Sequence, residues 1–125
     1  GQNFNPLNIT KSIEIVYGLR NFIGNANKFS KSKIFINIKS DDLFTEIVIE
    51  DDGEGYPADV LRKIGEPYIR SYKSFNKSKS GMGLGIFIGK TLLEKNYANI
   101  LCRNSKTRTG AEVSIKWQNK DFLSL

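Results

Sequence analysis

A pair of alternating runs constrains this chain most, because apolar residues that recur with a period of two indicate strands with one buried face. The first run covers residues 34–38 and the second covers residues 44–50, and a polar turn at residues 40–42 separates them. Two such runs joined by a short polar turn predict a β-hairpin. The second strand leads directly into Asp51, so we expect an acidic, glycine-containing loop at the rim of a sheet.

Helical periodicity surrounds the hairpin. Between residues 12 and 29, apolar side chains recur at helical spacing, which predicts an amphipathic helix that packs on a sheet. Further helices are predicted over residues 58–64 and 84–94, and further strands over residues 98–103 and 111–117. The apolar stripe of the first helix consists of Val16, Leu19, Ile23 and Ala26, flanked by Phe22 and Phe29, and its polar face consists of Glu14, Gly18, Asn21, Asn25 and Lys28.

These elements predict an α+β fold, a two-layer α/β sandwich in which a mixed, mostly antiparallel sheet carries helices on one face. The length of 125 residues fits one domain spanning residues 1–125. Residues 1–10 are polar, so we expect a linker or an edge strand there, with Thr10 or Ser12 capping the helix that follows. Residues 65–81 have almost no apolar periodicity, which is typical of a functional lid or a disordered loop.

The composition excludes several kinds of chemistry. The chain contains no histidine, so a reaction that needs an imidazole must obtain it from another domain. The single cysteine, Cys102, lies in an apolar run, which favours a buried thiol over a redox or metal site. No apolar run approaches the roughly 18 residues of a membrane helix, and Gly1 begins no leader, so we expect a soluble domain.

The net charge of +6 makes nucleic acid an alternative partner, because clustered Lys and Arg residues release counterions from a phosphate backbone. The densest basic cluster consists of Arg70, Lys73, Lys77 and Lys79, and it lacks the interleaved aromatic residues of a base-stacking platform. We therefore expect no nucleic-acid partner. Salt-sensitive binding to DNA without affinity for ATP would favour the alternative.

A glycine-rich stretch at residues 81–85 begins the predicted second long helix, directly after the basic cluster. Glycine lets the backbone approach a ligand closely, and a helix N-terminus offers free N–H groups to phosphate. A flexible hinge is the alternative interpretation. The P-loop spacing and the dinucleotide-binding glycine pattern are both absent from residues 81–91.

Two further patterns indicate binding chemistry. Asp51 ends a strand and precedes two glycines, so its carboxylate could accept a hydrogen bond from a ligand amine; an ordinary Asx turn is the alternative. Asn21 and Asn25 lie one helical turn apart, and Lys28 follows one turn later. Amide oxygens are hard, neutral ligands for Mg²⁺, and a lysine can contact phosphate. In a chain so rich in asparagine, chance pairing is the alternative.

Taken in order, these segments resemble the GHKL ATPase superfamily and, within it, the catalytic domain of sensor histidine kinases of the RegB/PrrB type. The resemblance covers most of the chain. Residues 19–29 resemble the N box, residues 51–55 the G1 box, residues 64–70 the F box, residues 81–85 the G2 box, and residues 109–111 the late glycine turn. The F box departs from the usual Phe-rich form at Gly65 and Tyr68.

The resemblance implies a Bergerat fold that binds ATP and Mg²⁺. Asn25 and Asn21 would be the metal ligands, Lys28 would contact phosphate, and Asp51 would accept the adenine amine. Arg70 matches the arginine expected near the γ-phosphate, so the implied catalytic residues are Arg70, Asn21 and Lys28. The implied nucleotide-binding residues are Asn21, Asn25, Lys28, Phe29, Asp51, Gly53, Gly55, Tyr56, Arg70, Gly81, Met82, Gly83, Leu84 and Gly85, and residues 70–82 would form the ATP lid.

One position separates kinases from hydrolases in this superfamily. Hydrolytic relatives place a glutamate four residues before the metal-binding Asn, where it acts as a general base, and Asn21 occupies that place here. The resemblance therefore implies a histidine protein kinase. Its phosphoryl acceptor would be a histidine on a separate dimerisation domain, and a cognate response regulator would act downstream. The chain would be a monomeric, cytoplasmic fragment of a longer kinase at the bacterial inner membrane. A nucleotide-binding regulatory module of the superfamily without phosphotransfer is the alternative.

Overall fold

The computed structural model of the chain describes residues 6–64, 82–107 and 109–122. Four strands and four helices occupy these residues. In chain order they are α1 (Pro6–Phe29), β1 (Ile34–Ser40), β2 (Phe44–Asp51), α2 (Ala58–Ile64), α3 (Met82–Lys95), β3 (Asn99–Asn104), β4 (Ala111–Gln118) and the short α4 (Asn119–Phe122).

The four strands form one sheet in the order β1-β2-β4-β3, and the predicted hairpin is confirmed as the β1–β2 pair. All three pairings in the described part of the chain are antiparallel, so the mixed sheet that we predicted is not found there. Short connections join β1 to β2 and β3 to β4, and such connections permit only antiparallel pairing. The third pair, β2 with β4, is antiparallel although several elements separate the two strands in the chain.

The core lies between one face of this sheet and the helices. The sheet contributes Ile49 from β2 and Val113, Ile115 and Trp117 from β4, all at most 2% exposed. Phe22, Ile86 and Leu93 from the helices are equally buried against them. The indole N–H of Trp117 donates a 3.0 Å hydrogen bond to the carbonyl of Asn96 just after α3, so the largest core side chain has its polar atom satisfied. The predicted α+β, two-layer architecture is confirmed.

Two glycines allow α1 and α3 to pack closely. A Cβ atom at Gly18 would lie 2.7 Å from the Leu93 side chain, and one at Gly89 would lie 2.7 Å from the Phe22 ring. Gly18 is therefore buried, and its placement on the polar face of the first helix was wrong. Val16 is 56% exposed, so it does not belong to the core-facing stripe either. The stripe is centred on Phe22, which we had placed on its flank.

The first helix begins earlier than predicted. Residues 6–10 belong to α1 and are not a linker or an edge strand, and neither Thr10 nor Ser12 lies at the start of the helix. Proline is favourable at the first helical position, because its missing N–H would have no partner there and its fixed φ suits a helix. Pro6 therefore begins α1.

Candidate functional site

Asp51 is a buried carboxylate at the end of β2, with only 4% of the residue exposed. Its Oδ1 accepts hydrogen bonds from the backbone N–H of Gly53 at 2.8 Å and from that of Ala111 at 3.3 Å. Within the residues that the structure describes, Oδ2 has no hydrogen-bond partner. Burying an unpaired carboxylate oxygen is costly. One oxygen thus fixes the side chain, while the other has no partner among the described residues, although Asp51 itself does not line the cleft described below.

Two glycines make room for this carboxylate. A Cβ atom at Gly110 would overlap the Asp51 backbone and Oδ1, and one at Gly53 would overlap the carbonyl oxygen of Phe29. Gly53 therefore lets the acidic loop pack closely against the last turn of α1, and Gly110 lets the start of β4 pack closely against Asp51. No side chain could be added at either position without moving backbone atoms.

A cleft of about 330 Å³ lies beside this junction. Backbone and side chains of the acidic loop form one wall, and the C-terminal end of α1 with the turn after it forms the other. The lining residues are Lys28, Phe29, Lys31, Gly53, Glu54, Gly55 and Pro57. The ammonium group of Lys28 lies 5.3 Å from the centre of the Phe29 ring. Two lysines beside an aromatic ring suit a ligand that is both planar and anionic.

The two asparagines of α1 face the glycine-rich start of α3. A Cβ atom at Gly85 would lie 3.8 Å from Oδ1 of Asn25 and 3.9 Å from the carbonyl oxygen of Asn21. The side-chain amide of Asn21 donates a 2.8 Å hydrogen bond to the carbonyl of Tyr17, which leaves its Oδ1 as the atom available to a ligand. Asn25 precedes Phe29 by four residues, or about 6 Å along the helix axis. Neither asparagine lines the cleft, and Asn21 instead lines a separate pocket with Tyr17 and Arg20.

The other predicted site residues have different outcomes. Leu84 is half-buried in the first turn of α3, next to buried Gly83. Tyr56 lies in the hydrophobic core at 6% exposure and its side chain is not part of the cleft lining, so the structure does not support a direct contact with nucleotide. Met82 begins α3. Arg70, Gly81 and the rest of the predicted lid lie outside the described residues.

The family model described as histidine kinase-, DNA gyrase B- and HSP90-like ATPase matches residues 10–121. The chain belongs to this ATPase family. The resemblance drawn from the order of the sequence boxes is thereby confirmed.

Named relatives of this ATPase domain are sensor kinases. The chain is 37% identical over 125 residues to the sensor histidine kinase RegB of Cereibacter sphaeroides, a match that covers 87% of this chain and 27% of RegB. It is 38% identical over 110 residues to the histidine protein kinase SaeS of Staphylococcus aureus, covering 85% of this chain and 31% of SaeS. The sensor histidine kinase CssS of Bacillus subtilis is 32% identical over 98 residues, covering 78% of this chain and 20% of CssS. The chain thus spans about a quarter of RegB.

Solved structures share the fold of the ATPase domain. The mycobacterial sensor histidine kinase MprB superposes with a TM-score of 0.61 at 21% identity, covering 86% of this chain and 73% of the MprB chain. Full-length ShkA in complex with AMPPNP has the same TM-score of 0.61 and 21% identity, covering 83% of this chain and 21% of ShkA. Within the described residues of the ATPase domain, no helix has both the length and the apolar character needed to cross a membrane.

The sequence patterns did not reveal the role of Asp52. Its Oδ1 accepts N–H hydrogen bonds from Lys31, Ser32 and Lys33 at 2.8, 3.0 and 3.2 Å, and its Oδ2 accepts one from the Ser32 hydroxyl at 2.7 Å. These donors, the Ser32 hydroxyl above all, hold the pKa of Asp52 far below its ordinary value. Asp52 therefore fixes the turn after α1 that carries Lys31. The adjacent Asp51 and Asp52 look alike in the sequence, and only their positions in the fold separate the two roles.

We expect Asp52 to make the stability of the ATPase domain depend on pH. A carboxylate whose pKa is lowered by folding stabilises the native state above its unfolded pKa, and that contribution is lost as the pH falls towards the folded value. Asp52→Asn should therefore unfold more easily than the parent at pH 7, and the difference should narrow below the unfolded value of about 3.8. Urea titrations from pH 7 to pH 3 would measure it. The exposed Asp42→Asn variant is the control, and a similar pH-dependent difference for both variants would contradict this role.

Proposed function

We propose that this chain is the catalytic domain of a sensor histidine kinase, which binds ATP with Mg²⁺ and donates the γ-phosphoryl group to a histidine on a separate dimerisation domain. The observation that carries the proposal is the arrangement of Asp51, a buried carboxylate with one oxygen tied to two backbone N–H groups and the other unpartnered among the described residues. Membership of the ATPase family and the names of the kinase relatives support the same function.

The adenine end of the nucleotide would lie against the Asp51 loop. Oδ2 of Asp51 is an acceptor, which suits the exocyclic amine of adenine. Gly53 and Gly55 expose backbone at the cleft wall, so a flat ring can approach closely. Phe29 lines the same cleft and offers a ring face, and Leu84 from α3 would complete the apolar surroundings.

The phosphate end would lie along α1. Lys28 and Lys31 line the cleft and would neutralise phosphate charge. Their neighbour Asn25, with Asn21 one turn earlier, presents amide oxygens that fit Mg²⁺, an ion that protein sites hold with few side chains together with substrate phosphates. The metal would supply charge neutralisation at the transferring group. Arg70 and the glycines at residues 81–85 would contact the phosphates as well.

The chain's own residues favour transfer over hydrolysis. An amide at Asn21 cannot accept a proton from water, so bound ATP would persist until a better nucleophile arrives. Because the chain has no histidine, that nucleophile must come from another domain. Positioning and charge neutralisation would be the contribution of this domain. We propose further that it is a monomeric cytoplasmic part of an inner-membrane kinase with a cognate response regulator.

Removal of the Asn25 amide should slow phosphotransfer. Asn25→Ala would lose one metal ligand while the nucleotide phosphates and water keep the others, so we expect the rate to fall about tenfold with little change in stability. The assay follows labelled phosphate from ATP to a purified histidine-containing dimerisation domain at varied Mg²⁺, and Asn27→Ala on the exposed side of α1 is the matched control.

Two outcomes would contradict the proposal. Equal rates for Asn25→Ala and Asn27→Ala would refute the metal role. A parent chain that binds ATP but transfers no phosphate to any histidine-containing domain supplied would favour the regulatory module without phosphotransfer.

A further inference from the structure

The side chain of Asn104 binds both polar backbone groups of Tyr56, a residue 48 positions away in the chain. Its Oδ1 accepts the N–H of Tyr56 at 2.6 Å, and its Nδ2 donates to the carbonyl of Tyr56 at 3.3 Å. An amide can satisfy a backbone N–H and C=O at once because it carries one acceptor and one donor group. Asn104 is the last residue of β3, and its side chain connects the end of that strand to the loop after β2.

The backbone next to Tyr56 is shaped to receive this amide. Gly55 has φ of 87°, in the left-handed region that glycine adopts without strain. A Cβ atom at Gly55 would lie 2.6 Å from Oδ1 and 2.9 Å from Cγ of Asn104. Gly55 and Asn104 therefore fit together, and a side chain at position 55 would push the amide away from Tyr56.

The same strand also packs near the side chain of Tyr56. Cys102, two residues before Asn104 on the same face of β3, packs against the core cluster that contains Tyr56, and burial raises the pKa of Tyr56 well above its ordinary value. Burial likewise raises the pKa of Cys102 to about 12, so both groups stay protonated at neutral pH. The Tyr56 side chain is thus buried in the core, and Asn104 holds its backbone.

We propose that Asn104 is a positioning residue for nucleotide binding, although it does not line the cleft. The loop at residues 53–57 supplies Gly53, Glu54, Gly55 and Pro57 to the cleft wall, and Asn104 is hydrogen-bonded to the same loop at the backbone of Tyr56. Without the amide, the N–H of Tyr56 loses its partner and the wall is ordered only when nucleotide binds, which costs affinity. This inference rests on the proposed function.

The test compares Asn104→Ala and Asn104→Asp with the parent chain, and Asn99→Ala is the control because Asn99 is an exposed asparagine on the same strand. Asn104→Asp keeps an acceptor for the N–H of Tyr56 but places a second oxygen against its carbonyl, so it should restore part of the effect. The measurements are amide hydrogen exchange of Tyr56 without nucleotide, calorimetric binding of AMPPNP with Mg²⁺, and KM and kcat for transfer to a histidine-containing domain.

We expect Asn104→Ala to accelerate exchange of the Tyr56 amide and to raise the Kd and KM for nucleotide about tenfold, with kcat changed less than about twofold. Asn104→Asp should fall between, and Asn99→Ala should match the parent. If the parent binds nucleotide, two results for Asn104→Ala would overturn this inference without touching the proposed function. One is an unchanged exchange rate of the Tyr56 amide, and the other is an unchanged affinity for nucleotide. A loss of binding stoichiometry without a loss of affinity would also overturn it, since that indicates a smaller folded fraction. A parent chain that binds no nucleotide would instead refute the proposed function, and the inference with it.

Discussion

Gly110→Ala should lower the free energy of unfolding by about 3 kcal/mol or more and abolish high-affinity nucleotide binding. The added methyl group would overlap the backbone and the Oδ1 of Asp51, and its distance to the Asp51 carbonyl carbon would be 2.5 Å. Backbone atoms in a paired sheet cannot turn aside as a flexible side chain can. The clash would therefore push β4 away from β2, or Asp51 out of its position.

The matched control is Gly24→Ala in the same chain. No atom lies within 4 Å of a Cβ at Gly24, which is an exposed position inside α1. Because alanine favours the helix over glycine, this substitution should stabilise the chain by about 0.5 to 1 kcal/mol. Urea unfolding of the two variants would measure both effects. If both variants changed the free energy of unfolding by a similar, small amount, Gly110 would not be packed against the Asp51 backbone.

Asp51→Asn should weaken the binding of AMPPNP between about tenfold and a hundredfold while the fold persists. An asparagine keeps an oxygen that can accept the N–H groups of Gly53 and Ala111, so the local backbone retains its partners. The amide nitrogen would then take the place of Oδ2 and present hydrogens to the adenine amine, where an acceptor is needed. Hydrogen bonds to charged groups contribute about 1.5 to 3 kcal/mol, which corresponds to that loss in affinity.

Calorimetric titration with AMPPNP and Mg²⁺ would test this expectation. Asp42→Asn is the control, because it makes the same chemical change at an exposed position in the hairpin turn. If Asp51→Asn and Asp42→Asn bind equally well, Asp51 is not the adenine acceptor. If Asp51→Asn fails to fold, thermal unfolding would reveal it, and Asp51→Glu would then test whether a displaced carboxylate also loses affinity.

Local patterns predicted the elements that depend on neighbours in sequence. The alternation in residues 34–50 indicated the hairpin, and the apolar spacing in residues 58–64 indicated α2 with the bounds that the structure has. The position of Asp51 at a strand end followed from the same alternation. These features could be predicted because each is determined by residues that are close to one another in the sequence.

Contacts between distant segments could not be predicted in this way. Gly18 looks neutral in a periodic pattern, and only the approach of Leu93 on α3 shows that it is buried. Asn104 is one polar residue among many until its amide meets Tyr56, 48 residues earlier in the chain. The need for glycine at position 110 likewise becomes visible only when the contact with Asp51 is known. Periodicity describes which face of an element is apolar, but it does not say which residue of another element will lie opposite.

The strand order has a consequence for how the protein is made. β4 lies between β2 and β3, although it is the last of the described strands in chain order. Until it arrives, Asp51 lacks the Ala111 donor and β3 has no neighbour among the described strands. If ATP binds against Asp51 as proposed, its site would therefore be incomplete in the nascent polypeptide until translation has passed β4.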